Sequence, residues 1–195
     1  MIPKGTTFAF LGRSGSGKDT QIKFLMARED FAGALETNTG DILRAMAGKG
    51  TILGRKVKEV LDAGQLMPGW LSFYAWLSYF LEKIDRDEVL VSSGSPRRIE
   101  EAQLEDRALE FLGRQKPIGV HILISPEEAR KRLLARARYD DTDESISNRL
   151  GWFETDVLPI IEHYRAEGRL IEINGEQTPE AVFAELEKKL AEHFQ

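Results

Sequence analysis

The run Gly12-Arg13-Ser14-Gly15-Ser16-Gly17-Lys18 has the residue types and spacing of a phosphate-binding loop, or P-loop. Glycines let a backbone turn tightly and aim its N–H groups at anionic oxygens. The lysine supplies a mobile charge for the outer phosphates of a nucleotide, and the positive end of a following helix reinforces it. Asp19 stands where a Ser or Thr usually follows the lysine, and Thr20 comes next. A simple Gly/Ser turn could carry the same letters. The apolar run before the loop and the helical pattern after it favour the phosphate cradle.

A second concentration of charge lies at Arg130, Lys131, Arg132, Arg136 and Arg138, with no acidic residue among them. Arg132 and Arg136 are four apart and share a helix face, and Arg149 follows on the next helix. Taken alone, such a run could be a solvated basic face. Arg44, in Thr39-Gly40-Asp41-Ile42-Leu43-Arg44, and Arg97, in Gly94-Ser95-Pro96-Arg97, have bland readings too: a solvated residue after a helix start helped by Asp41, and a surface residue after a turn proline. Together they make an anion site plausible chemistry, because an arginine fork can give phosphate two parallel hydrogen bonds. His121, His163 and His193 have no ligand partner at metal spacing and read as structural. Cysteine is absent, which excludes disulfides and thiolate catalysis.

The elements that must position these groups alternate in type. Thr6–Leu11, Ala34–Thr37, Glu88–Ser92, Ile118–Ile124 and Leu170–Ile173 read as five strands. Helical patterns cover Lys18–Ala27, Asp41–Ala47, Leu53–Ala63, Gly69–Ile84 and the stretch from Ile99 to Leu112. Ser125-Pro126-Glu127-Glu128 is a capped helix start. Asp141 and Glu144 suggest the start of a long helix kinked by Pro159, and Thr178-Pro179 opens a last helix ending near His193. Alternation of this kind implies crossover connections and an α/β fold, with helices on both faces of a central five-stranded parallel sheet. Ligands of such sheets bind at the carboxyl ends of the strands, where the motifs fall.

The 195 residues suffice for a single domain, residues 1–195. The net charge of −5 argues against nucleic acid as a partner. No segment approaches the ~20 apolar residues that span a bilayer, so no membrane partner and a cytoplasmic location are expected.

Gly17-Lys18-Asp19-Thr20-Gln21 resembles the P-loop of adenylate kinases and related nucleoside monophosphate kinases, with Asp19 in place of the usual Gly. Three further stretches resemble that family in order: Thr39-Gly40-Asp41 to Arg44, Gly94 to Arg97, and the pattern from Arg132 through Arg136, Arg138, Asp140 and Asp141 to Arg149-Leu150. The resemblance implies a P-loop NTPase-like three-layer α/β/α fold and a reaction in which ATP phosphorylates a nucleoside monophosphate. AMP leads as acceptor; GMP, a pyrimidine monophosphate, another small acceptor, or a homologue with weakened catalysis remain open. It further implies ATP binding by Gly12, Ser14, Gly15, Ser16, Gly17, Lys18, Asp19, Thr20, Arg132 and Arg136. Thr39, Gly40, Arg44, Gly94, Arg97, Glu101, Arg138 and Arg149 would form the monophosphate site, on a helical segment at about 38–70 and under a short lid at about 136–143. Lys18, Arg97, Arg132, Arg136, Arg138 and Arg149 would be catalytic, with Asp140 and Asp141 positioning the lid. Mg²⁺ would accompany ATP, with Thr20 as direct ligand and Asp19 and Asp41 holding its waters. A monomer is implied.

Three positions depart from the family pattern. Ser93 replaces the Asp that orients waters on Mg²⁺, and Asp19 is placed to compensate or merely to favour its helix start. Glu101 replaces a Gln that reads adenine; a carboxylate only accepts hydrogen bonds, which suits guanine, or it is an ordinary first-turn helix glutamate. Ser95 replaces a Phe, for which the sequence offers no reason.

Overall fold

The computed structural model describes residues 2–136, 138 and 141–195. Five parallel strands form one sheet in the order β2-β3-β1-β4-β5: β1 Thr7–Leu11, β2 Leu35–Asn38, β3 Leu90–Ser93, β4 Ile118–Leu123 and β5 Leu170–Asn174. All five lie within about two residues of the expected runs. Every residue of β1 is buried, because neighbours flank it on both edges and helices cover both faces.

Alternation along β1 divides the core. Phe8 and Phe10 pack with Ile22 and Leu25 of α1 (Lys18–Met26) and with Val182, Leu186 and Leu190 of α9 (Pro179–His193). Ala9 and Leu11 face the other way, toward Ala102 of α5 (Ile99–Phe111) and Ile160, Ile161 and Tyr164 of α8 (Leu158–Ala166). Between β2 and β3 the chain makes a helical excursion through α2 (Thr39–Ala47), α3 (Ile52–Asp62) and α4 (Gly69–Leu81), with its own small core of Leu43, Val57, Met67, Leu71 and Ala75. Helices α6 (Pro126–Arg136) and α7 (Asp143–Trp152) flank the segment expected as a lid.

Two local expectations change. Helix α7 is capped by Thr142, whose hydroxyl accepts from Ser145 N while Ser145 Oγ accepts from Thr142 N; Asp141 lies outside the helix with its carboxylate turned to arginines. The kink expected at Pro159 is a π-helical stretch, Phe153–Val157, immediately before it. Pro159 has no N–H and its ring crowds the carbonyl four residues back, so widening the preceding turn relieves both problems. Asp140 lies outside the described residues.

Candidate active site

The loop after β1 is fixed by close contact with the sheet. Gly12 has φ +136°, and a Cβ there would meet Ile122 O at 2.6 Å and Ser16 Oγ at 2.9 Å, so only glycine fits. The loop feeds α1 through Gly17, and no side chain caps the helix's first N–H groups. Lys18 Nζ folds back over the loop and donates to Gly12 O (2.9 Å), Arg13 O (3.0 Å) and Ser16 Oγ (3.3 Å). Burial lowers the Lys18 pKa to about 8; Asp19 pulls it up, while Arg97 and Arg136 push it further down.

A cleft of about 390 Å³ opens above the carboxyl ends of β1, β2 and β3. Its wall brings together Ser14, Gly15, Gly17, Lys18, Asp19 and Thr20 from the loop, Gly40 and Arg44 from α2, and Gly94 and Arg97 after β3. Arg132 and Arg136 of α6, Arg149 of α7 and Arg138 between them join it. A second cavity of about 380 Å³ continues past Gly15, Ser16 and Arg132 to Gly175, Gln177 and Val182. Lys23 adds another cation to the main cleft, and Asp19 is the single anion on its wall among the described residues. A negatively charged chain has thus gathered six arginines around one concave surface, the arrangement that binds polyanions.

Two clusters of cations contribute to it. Arg97 is half-buried, and desolvation lowers its pKa to about 10, Glu101 opposing that shift and Arg149 and Arg44 adding to it. It remains a cation at neutral pH. A Cβ at Gly94 would lie 3.3 Å from Gly40 N and 3.5 Å from Arg97 Nη2, so these two loops meet at one small pocket. Arg44 lies there too, its Nη2 2.5 Å from Asp41 Oδ1. In the second cluster, the Asp141 side chain is sealed from solvent and gathers Arg136 Nε (2.9 Å), Arg136 Nη2 (2.8 Å), Arg149 Nη1 (2.7 Å) and the Arg138 N–H (3.2 Å). Burial alone would raise its carboxyl; the hydrogen bonds and charges of Arg136, the Arg138 N–H and Arg149 hold it below the usual range.

Asp19 lies at the centre. Its Oδ1 accepts from Ser93 Oγ (3.1 Å) and Asn38 Nδ2 (3.3 Å), and Arg138 Nη2 approaches Oδ2 at 3.8 Å. A carboxylate therefore reaches the end of β3 although the strand itself ends in serine.

Several candidate residues stand off the main wall. Gly12 and Ser16 act from within the loop, and Ser16 lines the second cavity. Thr39 is buried with its hydroxyl unpartnered. Asp41, expected to hold waters of the cation, pairs with Arg44. Glu101 is 1% exposed, and its Oε2 accepts from Arg97 N at 2.8 Å, so it sits behind the wall rather than on it. Ser95 Oγ donates to the buried Glu105 at 2.5 Å, a partner that a phenylalanine could not serve.

Sequence reading missed Asn38, Gln65, Ser72 and Trp152, all on the wall. Asn38 had a signal: it precedes Thr39-Gly40-Asp41 and caps α2 by accepting from Asp41 N. His163 also gains unexpected neighbours, Asp106 Oδ2 at 3.5 Å and Glu167 Oε1 at 3.7 Å. Arg169 donates to both carboxylates, so the cluster is an ion-pair network. No helix among the described residues is long and apolar enough to cross a membrane.

The adenylate kinase family model matches residues 10–169. The chain is 34% identical over 187 residues to an adenylate kinase of Nautilia profundicola, covering 95% of this chain and 96% of that one. It is 33% identical over 185 residues to adenylate kinase 1 of a Nostoc species, covering 95% and 98%. An adenylate kinase of Leptospira biflexa is 35% identical over 170 residues, covering 85% and 89%.

Proposed function

Because the chain belongs to the adenylate kinase family and is a nucleoside monophosphate kinase, we propose that its acceptor is AMP and its reaction ATP + AMP → 2 ADP. The observation that carries the reading is that one cleft is lined by Lys18 and its loop, by Arg44 and Arg97, and by Arg136 and Arg149. Two facing polyanions are what such a surface accommodates.

In this reading the loop N–H groups and Lys18 hold the outer phosphates of ATP, with Arg132 beside the donor's path into the second cavity. Arg44 and Arg97 grip the acceptor phosphate, whose oxygen attacks the γ-phosphorus as the bond to ADP breaks. Arg136, Arg138 and Arg149 neutralise charge on the phosphoryl group in flight and exclude water. No protein nucleophile takes part. Glu101 holds the Arg97 backbone, which leaves its carboxylate little scope to select guanine. One chain supplies every group invoked, which supports a monomer as the working unit.

The donors near the donor phosphates fit a hard cation: Asp19, braced by Ser93 and Asn38, and the neighbouring Thr20 hydroxyl are all oxygen ligands. Asp19 and Thr20 would hold Mg²⁺ or its waters, and the ion would offset charge on the ATP phosphates.

A coupled assay for ADP, run with AMP, GMP, CMP and UMP and with no acceptor, tests the reading. AMP should be the preferred acceptor, and Lys18→Ala or Arg97→Ala should lower turnover by about two orders of magnitude or more with thermal unfolding unchanged. ADP formed equally without acceptor, or near-parental rates in either variant, would defeat it.

A further inference from the structure

Helix α3 ends against α7 in an unusual way. Ala63 caps α3, so its carbonyl and that of Gly64 lie beyond the helix's own donors. Both are taken by side chains of α7: Asn148 Nδ2 donates to Ala63 O at 2.9 Å, and Trp152 Nε1 donates to Gly64 O at 3.1 Å. The backbones also touch. Gly64 has φ +65°, and a Cβ there would sit 2.5 Å from Ser145 O. Asn148 and Trp152 are four residues apart on α7, with Arg149 next to the first.

Trp152 does more than close this contact. Its indole lines the cleft, and the Arg97 guanidinium lies 5.3 Å from the ring centroid, within cation–π range. One side chain therefore grips the end of the α2–α3 segment through its N–H and supports the half-buried Arg97 through its face. Leu61, Gly64, Gln65 and Met67 line the same end of the cleft.

We propose that Trp152, assisted by Asn148, is a positioning residue that sets acceptor affinity. It fixes the distance between the arginine that holds the acceptor phosphate and the α3–α4 turn beside the acceptor's nucleoside. The proposal rests on the acceptor assignment given above. It requires no movement of the donor loop, which Trp152 does not touch through any of these bonds.

The test is a split in Michaelis constants. Trp152→Phe keeps an aromatic face for Arg97 and removes the N–H to Gly64. It should raise the KM for AMP about five- to tenfold while the KM for ATP and kcat change by less than about twofold. Asn148→Ala, at an exposed side chain, should raise the AMP KM about threefold and serves if the tryptophan variant folds poorly. AMP added without ATP should quench tryptophan emission in the parent, and that change should be lost in Trp152→Phe although Trp70 and Trp76 remain. An unaltered AMP KM in both variants, or equal rises for AMP and ATP, overturns the proposal. A parent enzyme that makes no ADP from AMP overturns the acceptor assignment itself, which is a separate result.

Discussion

Lys18 illustrates how a single residue's environment writes a pH profile. Its ammonium is enclosed, and burial is the largest influence on it, followed by the attraction of Asp19 and the repulsion of Arg97 and Arg136. The net effect is a pKa of about 8, below the ordinary lysine value of 10.5. Only the protonated form attracts phosphate, and bound phosphate returns the stabilisation that burial removed. The kcat/KM for ATP reports the free enzyme, so it should fall above pH of about 8. The kcat, which reports the enzyme with ATP in place, should hold to higher pH. Calorimetric titration of ATP at pH of about 8.5, in buffers of different ionisation enthalpy, should register proton uptake. A kcat/KM that stays level to pH 10 would contradict the lowered pKa.

At the scale of elements, Asp141 ties the end of α6 to α7 through Arg136 and Arg149. Replacing its carboxylate by an amide removes the negative charge that Arg136 and Arg149 share. Asp141→Asn should cost about 1–3 kcal/mol in urea unfolding at pH 7, a figure kept low because Arg136 remains partly solvated. The Asp141 carboxyl is held below its ordinary 3.8 in the folded chain. Its stabilisation is therefore present above that value and lost as pH falls through the folded pKa, so the variant and the parent should converge in acid. A gap that is constant with pH would locate the cost elsewhere. The same element shows where sequence reading succeeds and stops. Strands β1 and β3 and the capped starts of α6 and α9 were legible because their signals are local: buried apolar runs, and Ser125 or Thr178 ahead of a proline. The cap of α7 was misplaced by one residue because Asp141 is as good a cap as Thr142 until the arginines claim it. Pro159 announced that a helical hydrogen bond must fail, but the π-helical remedy depends on packing against the sheet.

Across the whole molecule, the cations of the site were legible one motif at a time, since each sits just past a strand or on a helix lining that edge. The support beneath them was not. Trp152 meets Gly64 across 88 residues, and Ser95 meets Glu105 inside the fold, with no periodicity to betray either pair. Glu105 makes the cost of such hidden pairings measurable. Burial raises its pKa well above the ordinary 4.5, the Ser95 hydroxyl opposes the shift, and the charges of Glu101 and Asp106 add to it. A folded pKa above the unfolded one means that the protonated side chain favours folding. That contribution is complete below about 4.5 and declines as pH rises toward the folded value. Glu105→Gln keeps an acceptor for Ser95 and cannot ionise. Its melting temperature relative to the parent should therefore improve as pH rises above about 4.5, because only the parent has a side chain that must ionise there. Any fixed penalty from the buried amide shifts both ends of that curve equally and leaves its slope intact. The slope is thus the decisive quantity: a flat difference between variant and parent would mean that Glu105 titrates normally in the folded protein.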